Sequence, residues 1–305
     1  MAVVGVVWWA SQQQAPRLPH SPERLLLLGL ALVVYVVAIL ARCHRWDVIL
    51  RVAGVGHRRG DAYALTTVGY MGNTVLPARG GELLRILLLS ERSTAGRRET
   101  LGSVVCERIL DVTALIGLLC LVTVVGVAGT PAGTAPAVLA ATGLLGGAPL
   151  LVVYLKLRAR GRLERFAAYV RPVAHASRLL ITWRGAALAL LSALAWSMDA
   201  VVFWLIAQSL STSVGVIEAV LVVVLASFFS FIPAAPGYVG TYDAGILFTL
   251  GAIGISGATA LSQTLLFRFI MFVPITFFGL AIVVFRYGGI GALRRGGAPA
   301  RAETT

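Results

Sequence analysis

Long stretches of the chain carry no charged residue, and they alternate with shorter stretches that are rich in arginine. The uncharged runs cover residues 112–155, 185–198, 219–242 and 244–267. A membrane-spanning helix needs about 20 mainly apolar residues, and these runs with their apolar flanks provide several such segments. The pattern therefore predicts an all-α, polytopic membrane protein.

The composition agrees with that fold class and excludes others. The 305 residues are 58% hydrophobic and 13% charged, with a mean hydropathy of +0.87, whereas a soluble domain is about 25% charged. A soluble enzyme, a secreted disulfide scaffold and a disordered chain are therefore excluded. The three cysteines, Cys43, Cys106 and Cys120, lack metal-ligand spacing. We therefore expect no metal site and no cofactor.

The charge distribution predicts which loops face the cytoplasm. A net charge of +13 would suggest nucleic acid as the partner of a soluble chain, but in a membrane protein it indicates loops that face anionic lipid. We therefore expect no nucleic-acid partner. Of the 26 basic residues, 20 lie in the segments 42–60, 91–100, 156–184 and 286–305. The turns at 129–135 and 210–214 hold no charge, so the positive-inside rule places the four basic segments inside and the two turns outside.

One topology in the cell membrane satisfies every loop. Residue 25 starts outside, and the C-terminus ends in the cytoplasm, after spans at 25–41, 101–128, 136–155, 185–209 and 259–285. Because the basic segments on both sides of residues 62–90 are inside, this segment must enter and leave on the cytoplasmic side. Residues 215–256 must start and end outside, because the span before them ends outside and the span after them begins there. The predicted bundle has about six full spans, the five named here among them, plus two re-entrant segments. The membrane domain is 25–285, between an N-terminal segment at 1–24 (a truncated first helix is one reading) and a polar cytoplasmic tail at 286–305.

The two re-entrant segments share a short motif. Residues 75–81 and 231–237 both read apolar-apolar-Pro-Ala-x-x-Gly, and they open to opposite sides in the predicted topology. Broken helices related in this way are typical of an inverted repeat with a substrate site near the midplane. Chance similarity is the alternative, because the chain is rich in Pro and Gly. The residues assigned to the two breaks are Asn73, Pro77, Gly81, Pro233, Pro236 and Gly237.

Charged residues within apolar segments are the candidate site, because a charge at bilayer depth usually faces a partner or a pathway. Arg79, Glu82 and Arg85 recur every three residues, so the glutamate can pair with either arginine, and the group stays positive. Arginine offers planar paired donors that suit phosphate. A second cluster comprises Glu107, Arg108 and Asp111. Its acids supply counter-charges to the arginines or bind a coupling cation; the alternative is a salt-bridge network that only anchors the re-entrant segment.

The second half of the chain has fewer charges at depth. Arg268 needs an acidic partner, and either Asp199 or Asp243 could provide it. Glu218 lies near the outer end of its segment and is interpreted as interfacial.

The first motif pair resembles the lysylphosphatidylglycerol synthase transmembrane (flippase-like) family. That family's pattern is close to N-x-x-L-P-A-R-x-G-E-x-x-R followed by E-R-x-x-D, and residues 73–85 and 107–111 match it. Residues 233–240 are similar to its second motif, P-x-x-P-G-G-x-G, with Tyr238 in place of a usual glycine. Asp243 stands where a glutamate is more usual, and Arg45-Trp46 resembles the segment after an early span.

The resemblance implies a membrane domain that moves aminoacylated or polyprenyl-phosphate lipids between leaflets, with Arg79, Glu82, Arg85, Glu107, Arg108 and Asp111 at the lipid headgroup. Only about twenty polar residues follow residue 285, too few for an aminoacyltransferase domain. We therefore expect a translocase and not an enzyme, with phosphate-bearing membrane lipids as partners. Two alternatives stay open, namely an accessory subunit of a lipid synthase or glycosyltransferase and an intramembrane lipid-phosphate enzyme. Self-association into a homo-oligomer also stays open.

Overall fold

The computed structural model describes residues 19–77, 79–90, 97–127, 182–230 and 235–288. Within these ranges the chain forms eight α-helices and one short 3-10 turn. The helices are α1 (Pro22–Val52), α2 (Arg59–Val75), α3 (Gly80–Ser90), α4 (Arg97–Val127), α5 (Trp183–Ser209), α6 (Val216–Phe229), α7 (Thr241–Ala252) and α8 (Gly257–Tyr287). The 3-10 turn at Pro236–Tyr238 lies between α6 and α7.

Four of these helices are long and apolar enough to cross a membrane: α1, α5, α8 and the Glu99–Val125 part of α4. They are apolar around most of their circumference, as expected for helices surrounded by lipid and other helices. The chain is therefore an all-α, multi-pass membrane protein. The predicted span at 136–155, the turn at 129–135, most of the segment at 156–184 and Pro233 lie outside the described residues.

The helix that contains the first predicted span extends beyond that span. The span is predicted to end at residue 41, where a basic stretch with Arg42 and Arg45 begins, whereas the helix α1 continues to Val52. Both arginines are buried, and acidic partners on other helices compensate their charges, so they do not interrupt the helix.

The first predicted break occurs between α2 and α3. Helix α2 ends at Val75 and Leu76 is extended (φ −95°, ψ 145°), because the residue before a proline disfavours the helical region and Pro77 follows. Helix α3 then folds back tightly along α2. A Cβ atom on Gly72 would stand only 2.6 Å from the Cα atom of Gly81, so this close approach requires a glycine.

The second break separates α6 from α7. After the 3-10 turn, Asp243 in the first turn of α7 accepts a hydrogen bond from the Gly240 backbone N–H at 3.0 Å. Gly237, Tyr238 and Gly240 have left-handed φ values of 67°, 56° and 94°. Tyr238 therefore adopts the conformation for which the family's usual glycine is suited.

Two apolar clusters frame the interior. One joins α1, α5, α6, α7 and α8, and in it the rings of Phe203 and Phe267 meet edge to face with centres 5.1 Å apart. The other joins α1, α2, α3 and α8 around Trp46 and Leu65. The guanidinium of Arg85 stacks on Trp46, and that of Arg42 stacks on Trp196. Buried charged residues therefore lie against both clusters.

Candidate functional site

A buried ionic network connects α1, α3, α4 and α5. Arg45 on α1 is fully buried and pairs with Glu107 at 3.0 Å and with Asp111 at 2.5 Å, while also donating to Ser192 Oγ at 2.7 Å. Arg85 on α3 pairs with the other oxygen of Glu107 at 2.5 Å, and its guanidinium carbon lies 4.3 Å from the Trp46 ring centre. Glu107 is thus held between Arg45 and Arg85; ion pairs of this kind agree both with acids that supply counter-charges and with a network that anchors the re-entrant segment.

The partly exposed edge of the network contains Arg108, Glu82 and Arg79. Arg108 lies 3.2 Å from both Glu107 and Asp111 and 3.7 Å from Glu82. Arg79 lies 3.8 Å from Glu82, and the side chains of these three residues are 20–27% exposed.

The network has an excess of positive charge. The ion pairs of the described residues connect four arginines, Arg45, Arg79, Arg85 and Arg108, with three carboxylates, Glu82, Glu107 and Asp111. The sequence spacing predicted a positive excess only for Arg79, Glu82 and Arg85; over the six predicted headgroup residues the charges balance, and Arg45 supplies the excess.

Arg42 and Arg45 are the residues that sequence reasoning missed. Arg42 forms a two-pronged pair with Asp199 at 2.5 and 3.2 Å, and its guanidinium carbon lies 5.3 Å from the Trp196 ring centre. The signal was present in the sequence, because Asp199 in a span required a partner and two arginines three apart directly follow an apolar run.

Asp243 and Arg268 form a separate unit that stabilises the second break. Arg268 pairs with both oxygens of Asp243 at 2.5 and 2.9 Å and donates to the Gly237 carbonyl at 2.6 Å. Rings of Tyr242 and Phe272 lie 5.4 and 4.5 Å from its guanidinium carbon. Of the two acids that the sequence offered to Arg268, the structure therefore selects Asp243.

A cavity of about 130 Å³ lies where the two breaks meet. A single water needs about 10–15 Å³, so the cavity has room for a small polar group. Five of the predicted site and motif residues line it: Asn73, Arg79, Arg108, Asp111 and Asp199. The other described ones do not appear in its lining: Pro77, Gly81, Glu82, Arg85, Glu107, Pro236, Gly237, Asp243 and Arg268.

The two breaks touch at the cavity. The guanidinium carbon of Arg79 lies 5.5 Å from the ring centre of Tyr238, which also lines the cavity. A Cβ atom on Gly237 would stand 3.3 Å from the Thr74 carbonyl oxygen. The described part of the chain holds no cluster of three or more His, Cys, Asp or Glu residues suited to a metal ion.

These features define a multi-pass α-helical membrane protein that buries arginine–carboxylate pairs beside the contact between two broken segments. The chain belongs to the family described as the lysylphosphatidylglycerol synthase TM region, whose profile matches residues 1–279. The resemblance seen in the two sequence motifs is thereby confirmed.

Two curated proteins are similar to this chain. A UPF0104 membrane protein of Methanothermobacter thermautotrophicus is 21% identical over 273 residues, which covers 78% of this chain and 79% of that protein. Glycosyltransferase AglD of Haloferax volcanii is 32% identical over 121 residues, or 40% of this chain. That match spans 19% of the glycosyltransferase.

Proposed function

We propose that this protein is a translocase, not an enzyme, which moves a lipid with a phosphate-bearing headgroup between the leaflets of the cell membrane. The observation that carries the proposal is the cavity between the two helix breaks, lined by Arg79 and Arg108 within a network that has more arginines than carboxylates. Lipid tails stay in the bilayer while the headgroup occupies the cavity.

Arg79 and Arg108 are the residues that bind phosphate in this proposal. An arginine fork donates two parallel hydrogen bonds to a phosphate, and burial strengthens the interaction. Arg45, Arg85, Glu107 and Asp111 lie behind them and are paired with one another. Their task is to orient Arg108, which contacts Glu107 and Asp111 at 3.2 Å, and to anchor α3 against α4.

The broken segments act as gates in an inverted repeat with alternating access. Two observations support this part of the proposal. Among the described residues, each break carries one non-glycine residue with a left-handed backbone, Arg79 (φ 58°) and Tyr238 (φ 56°), and these two residues are in contact. Transporters with inverted repeats place their substrate between such broken helices.

The topology proposed for this mechanism has residue 25 outside and the C-terminus in the cytoplasm, with the five spans named from the sequence between them. The first break then opens to the cytoplasm and the second to the outside, so the cavity between them is accessible from either side in turn.

Reconstitution tests the proposal directly. The purified full chain is placed in liposomes that contain a phospholipid with a fluorescent acyl chain, and dithionite quenches the fluorophore in the outer leaflet. We expect quenching to continue past the outer-leaflet fraction at a rate that rises with the amount of protein. Protein-free liposomes are the control, and equal slow rates in both would overturn the proposal.

A second candidate is an accessory membrane subunit of a glycosyltransferase system. The observation in its favour is the 32% identity to part of a protein named as a glycosyltransferase. An accessory subunit would move no lipid when reconstituted alone, and it would co-purify with a transferase from its own membrane. The same reconstitution therefore separates the two candidates.

A further inference from the structure

The cavity that we propose holds a lipid headgroup is lined by two kinds of polar side chain. The first kind is the guanidinium groups, among them those of Arg79 and Arg108. The second kind is the hydroxyl-bearing side chains: Tyr35, Tyr70, Thr74, Ser227, Ser230 and Tyr242. The chemistry of these hydroxyl groups indicates what is attached to the phosphate.

Four of these hydroxyl groups already donate their hydrogen within the protein, so their oxygen atoms favour a ligand that donates. A hydroxyl has one hydrogen, and in each case it is donated to a backbone carbonyl. Tyr35 donates to Met271 at 2.6 Å, Thr74 to Tyr70 at 3.1 Å, Ser227 to Val223 at 2.6 Å and Ser230 to Ser227 at 2.6 Å. A ligand group that suits these oxygens donates hydrogen bonds, as a hydroxyl or an amine does.

The charges of the cavity decide between those two donors. Asp199 is paired through both oxygens with Arg42, and Asp111 is paired with Arg45 and Arg108. The described lining therefore holds three arginines and two carboxylates, and both carboxylates already have a cationic partner. A ligand ammonium would enter a cavity whose described lining carries a net positive charge, whereas an uncharged hydroxyl meets no such repulsion.

We propose that the headgroup is a neutral polyol joined to phosphate, as in a hexosyl phosphate or a glycerol phosphate, and not a cationic aminoacyl group. The phosphate binds Arg79 and Arg108, and the polyol hydroxyls donate to Thr74, Ser227, Ser230 and Tyr35. This proposal takes from the proposed function only that the cavity receives a lipid headgroup; it does not require that the lipid is moved.

Binding to the purified full chain in detergent tests the proposal. Five lipids with defined headgroups are titrated, and the tryptophan fluorescence of the protein, which includes Trp196 in the cavity wall, reports the Kd. Phosphatidylglycerol and a polyprenyl-phosphate hexose supply the two polyol sources. Phosphatidic acid supplies phosphate without a polyol, and lysyl-phosphatidylglycerol and phosphatidylethanolamine supply an ammonium. We expect at least one polyol lipid to bind about tenfold or more tightly than the other three lipids.

A matched pair of variants assigns this preference to the cavity hydroxyls. Thr74→Val removes a hydroxyl that lines the cavity, and Thr113→Val removes one that has the same bond to its own helix, at 2.8 Å, on the exposed face of α4. We expect Thr74→Val to weaken polyol-lipid binding about two- to tenfold and to leave phosphatidic acid binding unchanged. Thr113→Val should change neither.

The outcomes separate this proposal from the proposed function. Lysyl-phosphatidylglycerol binding as tightly as the polyol lipids would overturn the polyol assignment, even if the protein moves lipids. An equal effect of Thr74→Val on phosphatidic acid would overturn it as well. The expected order of affinities without any lipid movement in liposomes would support the polyol assignment and refute the translocase.

Discussion

The guanidinium of Arg79 stacks on the ring of Tyr238, with 5.5 Å between the guanidinium carbon and the ring centre. The two residues belong to different halves of the chain, and both have a left-handed backbone. A non-glycine residue in that conformation costs about 1–2 kcal/mol, and a cation–π contact contributes about 0.5–2 kcal/mol. Each helix break is therefore strained, and the contact between the breaks offsets part of that strain.

Substitutions at Tyr238 separate strain from contact. Tyr238→Gly removes the backbone strain and the ring, whereas Tyr238→Ala removes the ring and keeps the strain. We expect the alanine variant to be less stable than the glycine variant by about 1 kcal/mol, measured by unfolding in detergent. Tyr238→Phe keeps the ring and should resemble the parent protein. Equal stability of the glycine and alanine variants would show that residue 238 is not strained.

Arg79 and Arg85 should respond differently to substitution, although both belong to the same motif. Arg79 lines the cavity, so Arg79→Lys should lose about one charged hydrogen bond to phosphate, worth about 1.5–3 kcal/mol or one to two decades of affinity. Its stability should be near normal. Lipid movement in liposomes and thermal unfolding provide the two measurements, and full activity of Arg79→Lys would place the phosphate elsewhere.

Arg85→Met is the comparison for Arg79→Lys. Arg85 is buried against Trp46 and Glu107, so its removal takes one charged hydrogen bond from a buried acid and should cost about 1.5–3 kcal/mol of stability. Glu82→Gln is the mild control, because Glu82 lies 3.7–3.8 Å from Arg108 and Arg79 at the partly exposed edge. It should change stability by less than about 1 kcal/mol.

The buried Arg42–Asp199 pair predicts a specific pattern of loss and rescue. Arg42→Met leaves Asp199 buried without its two-pronged partner and should destabilise the protein by about 3–5 kcal/mol. Adding Asp199→Leu removes the orphaned charge and should recover most of that loss, because apolar replacements of a buried pair are often neutral. Equal instability of the single and double variants would contradict the pairing, and denaturant unfolding measures both.

The proposed topology predicts where single cysteines can be labelled. In a variant without Cys43, Cys106 and Cys120, a cysteine at Ala132 should react with an impermeant reagent from outside. A cysteine at Arg162 should react only after the membrane is opened, because it lies in a basic segment. Labelling of both from one side would refute the orientation.

The segment that contains α2 and α3 should not cross the membrane. Tags inserted near Arg59 and near Gly96 should both be protected from reagents outside the cell, because α3 folds back along α2 at the glycine contact. Access to one tag alone would mean that the segment crosses.

The sequence alone determined the fold class, the family and the two breaks. Apolar runs without charges leave few alternatives to membrane helices, because each charge at bilayer depth costs several kcal/mol. The breaks were predictable as well, since Pro77 and the glycines act locally on the backbone of their own segments. The excess of arginine over acid at the first motif was a further local property.

The pairing of the charges was decided only by the tertiary structure. Arg42 and Arg45 looked like a cytoplasmic loop because their compensating acids, Asp199, Glu107 and Asp111, lie far away in the sequence. Arg79 and Arg85 looked equivalent because each stands three residues from Glu82, yet one lines the cavity and the other is enclosed against Trp46. Burial and partner choice depend on which helices pack together, and spacing within one helix does not contain that information.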